Sequence, residues 1–132
     1  MTRTILALAA VVLLAGCAPL KDSAMNTSVT LQPQRSVPIG VGATTMLRYD
    51  GAADSRCPPN VQCVWAGELA YKFTLTGAAG SESFGLTAAK PAFDASSVPG
   101  LHIALGVNPL PPVQPANTPL PPHPVTITIS HQ

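Results

Sequence analysis

The residue types with the most chemistry stand in one run, Asp54-Ser55-Arg56-Cys57-Pro58-Pro59-Asn60-Val61-Gln62-Cys63-Val64-Trp65-Ala66-Gly67-Glu68. It holds the only Trp and two of the three Cys, together with Asp54, Arg56 and Glu68, in a chain that is only 10% charged. Asp54 and Glu68 are the carboxylates one would ask to act as acid and base, but Arg56 lies two residues from Asp54 and is expected to neutralise the cluster. A nucleophile and base pair needs a histidine oriented by a carboxylate. His102, His123 and His131 have no Asp or Glu beside them in sequence. Met25 and Met46 add soft ligands, yet no two of these five residues have metal-ligand spacing. The expectation is a protein that is not an enzyme, with no catalytic residue, no cofactor and no metal site; a periplasmic metal-handling role remains as an alternative.

The elements that must position this run are strands. Leu69, Tyr71, Phe73 and Leu75 alternate with Ala70, Lys72 and Thr74, the period of two of a half-buried strand. Trp65 shares their parity and is expected on the same apolar face, packed near Cys63. Gly77-Ala78-Ala79-Gly80 reads as a hairpin, and Ser81 to Leu86 as its return with Phe84 and Leu86 inward. Upstream, Val29-Thr30-Leu31 is a short strand, Val37-Pro38-Ile39 an edge strand limited by its proline, and Thr44 to Tyr49 a strand stopped by Asp50-Gly51. Residues 87–100 read as an irregular crossing with one helical turn. Ile103, Leu105 and Val107 form one alternating set, and Val125, Ile127 and Ile129 form a β-branched last strand. Between them, Pro109-Leu110-Pro111-Pro112 recurs as Pro119-Leu120-Pro121-Pro122 inside residues 109–124, a stiff loop or a polyproline recognition surface. Six to seven strands with little helix signal make an all-β fold, a small antiparallel β-sandwich of Greek-key or immunoglobulin-like order.

The first residues stand apart. A charged start at Arg3, an apolar run from Ile5 to Leu14 and a small-residue end read as an export signal, well short of the ~20 residues that span a bilayer. Leu14-Ala15-Gly16-Cys17 resembles the lipobox of bacterial lipoproteins. That resemblance implies cleavage after residue 16, fatty acylation (palmitate among the chains) on Cys17, and a lipidated tether over 17–27 ahead of a domain at 28–132. Ala18, standing where an Asp would retain the protein in the inner membrane, favours an outer-membrane anchor facing the periplasm. Loss of Arg3 leaves six basic residues against six acidic ones. The basic residues are scattered singly, so no nucleic-acid partner is expected. The implied partners are the membrane, through the anchor, and an envelope protein.

With Cys17 taken by lipid on that resemblance, Cys57 and Cys63 remain as an even pair in an oxidising compartment. Closing so small a ring contributes about 2 kcal/mol, and Pro58-Pro59 restrict the unfolded chain beforehand. The pattern D-S-R-C-P, a short spacer, then C-x-W-A-G-E is similar to that of a family of small exported bacterial proteins, many carrying lipoprotein signals, with no established function. Every motif position is present, from Asp54 to Glu68. In the residues themselves the run reads as a scaffold. Trp65 lies against the core, Gly67 marks a bulge or a close backbone approach, and Arg56 bridges Asp54 and Glu68. The competing reading is a protease inhibitor presenting the ring 57–63 as a rigid bait loop.

Overall fold

The computed structural model describes residues 26–40 and 44–132. The lipobox, Cys17, Met25 and the signal segment therefore lie outside the described residues, as does nearly all of the tether. The described chain forms eight strands: β1 (Thr27–Leu31), β2 (Ser36–Ile39), β3 (Thr45–Asp54), β4 (Leu69–Gly77), β5 (Gly80–Leu86), β6 (Ala92–Asp94), β7 (Leu101–Leu105) and β8 (Val125–His131). They pair antiparallel into two four-stranded sheets, ordered β1-β8-β7-β6 and β2-β3-β4-β5. The result is the small β-sandwich that the alternating pattern predicts. Within the first sheet β1 returns beside β8 after the whole second sheet, the Greek-key order, while the remaining neighbours are joined in sequence.

The inward parity of each strand supplies the core. Leu31, Leu47, Phe73, Leu75, Leu86, Leu101, Ile103, Val125 and Ile127 are all buried. An aromatic row crosses it, from Tyr49 against Phe73 at 5.4 Å, through Phe73 against Phe84 at 5.3 Å, to Phe84 stacked on Phe93 at 3.9 Å. Phe93 belongs to β6, an eighth strand in place of the helical turn expected in 87–100. Three residues are too few for periodicity to register, and the stacking partner Phe84 fixes the strand from the other sheet. Glu82 fastens the same crossing. Its carboxylate accepts from the hydroxyl and backbone N–H of both Ser96 and Ser97, which holds it at a pKa of about 2.

Two departures from the expected strands bear on the site. Asp50-Gly51 does not stop β3 but bulges it, with the register shifting between Tyr49 and Gly51 and Gly51 at φ 118°. The inserted residue reverses the parity, so Leu47 and Tyr49 face in before the bulge, and after it Ala52 opposes Tyr71 and Asp54 opposes Leu69. Asp54 is thereby turned toward the interior. At the other sheet, β7 ends at Leu105 and Val107 is 95% exposed, contrary to the alternation. The Gly106 N–H still donates to Thr126 O before the chain leaves the sheet. The Asn108 side-chain amide then takes over the pairing, donating to Thr126 O and accepting from Thr126 N.

Candidate functional site

Past Asp54 the β3–β4 ladder continues for two more steps without regular strand geometry. Ser55 N donates to Glu68 O at 2.9 Å, Ser55 Oγ accepts from Glu68 N at 3.0 Å, and Cys57 N donates to Ala66 O at 3.0 Å. Gly67 makes this possible. It sits at φ 67°, in the left-handed region, and an added Cβ would lie 1.8 Å from Ser55 O. Of the two expectations for Gly67, a bulge or a close backbone approach, the close approach is found, and it bears on Trp65. The left-handed residue between Trp65 and Leu69 breaks the period of two, so the parity inherited from β4 no longer applies. Trp65 is 79% exposed and Val64 94% exposed. The expected packing of the indole against the core is overturned.

The disulfide is present. Cys57 and Cys63 are bonded, their Cα atoms 5.9 Å apart, and they close a ring whose tip carries Asn60 at φ 62°. Every residue from 61 to 68 is exposed. The ring thus stiffens a protruding loop and does not prop a side chain against the interior.

Asp54 and Arg56 form the ordered part of the motif. Two Asp54 oxygens accept from Arg56 Nε at 2.8 Å and Nη2 at 2.6 Å, and the Arg56 N–H also donates to Oδ1. Both side chains are largely buried, at 14% and 10% exposure for Arg56 and Asp54. The hydrogen bonds from Arg56 hold the Asp54 carboxyl below the usual carboxylate range, and the same contact raises Arg56. Arg56 does not bridge to Glu68, as the sequence reading had it; Glu68 is exposed and contributes its backbone. The second partner of Arg56 is the carbonyl of Pro111, 3.0 Å from Nη2. The proline-rich loop is therefore tied down by the motif. At its far end the His123 ring meets Tyr71 edge-on at 5.8 Å, and Leu120 packs on the core.

Between the end of the motif, residues 88–91 and the exit of β7 lies a cleft of about 640 Å³, which the proline-rich loop reaches through Leu110, within the range of small-ligand sites. Leu69, Leu105, Leu110 and Pro91 supply apolar wall; Arg56 and Tyr71 supply donors; Glu68 stands in the lining with Gly67. Burial raises the Tyr71 hydroxyl, so it stays a protonated donor. A smaller cavity of about 210 Å³ is lined by Tyr49 and His123, among others. Tyr49 Oη and His123 Nε2 are both buried there without a hydrogen-bond partner among the described residues. Burial, aided by Tyr71, pushes the Tyr49 phenol up to about 12.

The remaining candidates are dispersed. His102, expected to point outward without a carboxylate, meets Asp94 across the β6–β7 pair, with Nδ1 2.6 Å from Oδ1, and stands apart from Asp54 and Glu68. His123 Nδ1 faces Pro121 O, and Met46 and His131 lie elsewhere on the surface. Among the described residues no three His, Cys, Asp or Glu gather as a metal set. Sequence reasoning missed Ser55, Tyr71 and Asn108 as parts of the site. Ser55 stood inside the motif and its offset from Glu68 was the available signal; nothing in the sequence marks the Asn108 contact with Thr126. Comparison of the chain with family models, with curated proteins and with solved structures finds no match, so the geometry alone carries the functional argument.

Proposed function

We propose that the protein is a lipid-anchored module of the bacterial envelope that binds a partner, without catalysis, through the disulfide loop and the cleft beside it. One observation carries this reading: the only indole of the chain stands 79% exposed on a loop fixed by a disulfide, a glycine contact and a backbone ladder. Leaving so large an apolar ring in water stabilises nothing in the domain, whereas a rigid exposed Trp is a strong anchor for a partner. The placement agrees with an anchor at Cys17. Thr27, at the start of β1, pairs with Ile129 at one end of the sandwich, and Asp54 opposes Leu69 at the other. A tether over residues 17–26 spans about 35 Å when extended, and the motif pole faces away from it.

The test is site-specific photo-crosslinking in intact cells, with a photoreactive residue at Trp65 and, as control, at Ala79 on the opposite pole. Adducts at position 65 with no counterpart at position 79 are expected. Equal patterns at both positions, or none at 65, sink the reading. The ring 57–63, exposed from Pro59 onward, also keeps the inhibitor alternative in play. Saturable inhibition of a protease by the intact protein, abolished on reducing Cys57–Cys63, would establish that reading instead.

A further inference from the structure

We infer that the cleft takes an extended proline-rich segment of a partner protein, an inference that rests on the binding role proposed above and names its ligand class. Beside the Glu68 carboxylate, the lining carries side-chain donors that the fold leaves open. Arg56 spends Nε and Nη2 on Asp54 and Pro111, and no group among the described residues bonds its Nη1. The hydroxyl of Tyr71, also in the lining, likewise holds no partner among the described residues. A polyproline stretch suits these donors, since it has carbonyls without N–H groups, carried on an apolar extended helix that needs little further ordering. The walls match that body, with Leu69, Leu105 and Pro91 facing the groove.

The molecule itself displays the pairing. Arg56 Nη2 donates to the carbonyl of Pro111, within the first Pro-Leu-Pro-Pro unit, and Leu120 of the second unit packs against the core. Leu110 of the first unit is 72% exposed at the cleft. A guest laid along it extends a proline surface that the motif already holds. Asp54 is neutralised by Arg56, so Glu68 is the free charge in the lining, and a basic residue flanking the prolines is favoured.

The experiment titrates the full-length acylated protein in detergent micelles with a synthetic peptide. The peptide carries three Pro-Leu-Pro-Pro units and an arginine at one end, and its control has the prolines replaced by alanine. A fluorophore on the peptide reports binding by its anisotropy. Saturable binding is expected for the proline peptide, at least fivefold weaker for the alanine control. Tyr71→Phe, which removes only the hydroxyl, is expected to weaken it at least fivefold with thermal unfolding unchanged. Glu68→Gln is expected to abolish the advantage of the arginine alone. Equal binding of both peptides, or none, overturns the inference; if Trp65 crosslinks persist in cells, the binding role stands and only the ligand class is lost. A dimer in sedimentation that the peptide dissociates makes a second copy of the chain the occupant and overturns the partner assignment.

Discussion

Gly67 lies so close to Ser55 that the Cβ of any other residue would fall 1.8 Å from the Ser55 carbonyl oxygen and 2.4 Å from its carbon. Backbone cannot yield as a flexible side chain can, and the φ of 67° adds strain for a side-chain-bearing residue. Gly67→Ala should therefore cost about 3 kcal/mol or more in denaturant unfolding. A loss under about 1 kcal/mol would mean that the Ser55–Glu68 ladder is readily rearranged.

Trp65 gives the contrasting case. Its exposure means that Trp65→Ala should change stability by no more than about 0.5 kcal/mol. Phe73, fully buried in the aromatic row, should cost about 3–5 kcal/mol on the same truncation. Thermal and denaturant unfolding of the two variants side by side decide the matter. A large loss for Trp65→Ala would return the indole to a scaffolding role.

These two residues show where the sequence was legible. Alternation predicted the inward faces of β4, β5 and β8 because buried β-strands need apolar residues at every second position, and Leu69, Phe73, Val125 and Ile127 obey it. The same rule misplaced Trp65, since a period of two holds only while every residue stays extended, and Gly67 does not. It also misread Asp50-Gly51 as a stop. A bulge and a strand end share the same residues, and only the continued pairing of Ala52 with Tyr71 separates them. The cleft was invisible for another reason. Tyr71 and Pro111 stand 40 positions apart in sequence, and the Arg56 contact that brings the proline loop to the strand follows no local pattern.

Acid should act on Glu82. Its four Ser96 and Ser97 contacts depress the folded pKa to about 2 from 4.5, so its contribution to stability is present above pH 4.5 and is lost as pH falls through about 2. Glu82→Gln should be less stable than the parent at neutral pH, with a shallower stability slope between those values. Parallel acid-unfolding curves for the two proteins would show that the carboxylate does not clasp the crossing.

Alkali should act on Tyr49. With its folded pKa raised from 10.0 to about 12, stability tied to the neutral phenol is full below pH 10 and lost as pH rises through about 12. Its hydroxyl is buried without a partner among the described residues, a burden of about 1–3 kcal/mol. Tyr49→Phe keeps the ring contact with Phe73 and should stabilise the protein by about 1 kcal/mol at neutral pH, with a flatter alkaline limb. A destabilised Tyr49→Phe would mean that the hydroxyl is satisfied in solution.

Asp54 and Arg56 should fail together. The bulge at Asp50 turns Asp54 inward, where an unpaired carboxylate is costly, and the Arg56 fork is what makes the position tolerable. Arg56→Met should therefore cost about 3–5 kcal/mol, because the carboxylate is left behind in a largely buried setting. Asp54→Asn should cost less, since a neutral amide still accepts from Arg56. The double variant should fall short of the sum of the two losses by about 1–3 kcal/mol, the coupling expected of residues in one network. The depressed Asp54 carboxyl adds a pH signature: stability contributed by the pair is present above the ordinary aspartate pKa of 3.8 and lost as pH falls through the lower folded value. Additive losses across the cycle, with no narrowing of the difference in acid, would show that Arg56 serves the Pro111 carbonyl alone and that the interior tolerates Asp54 without it.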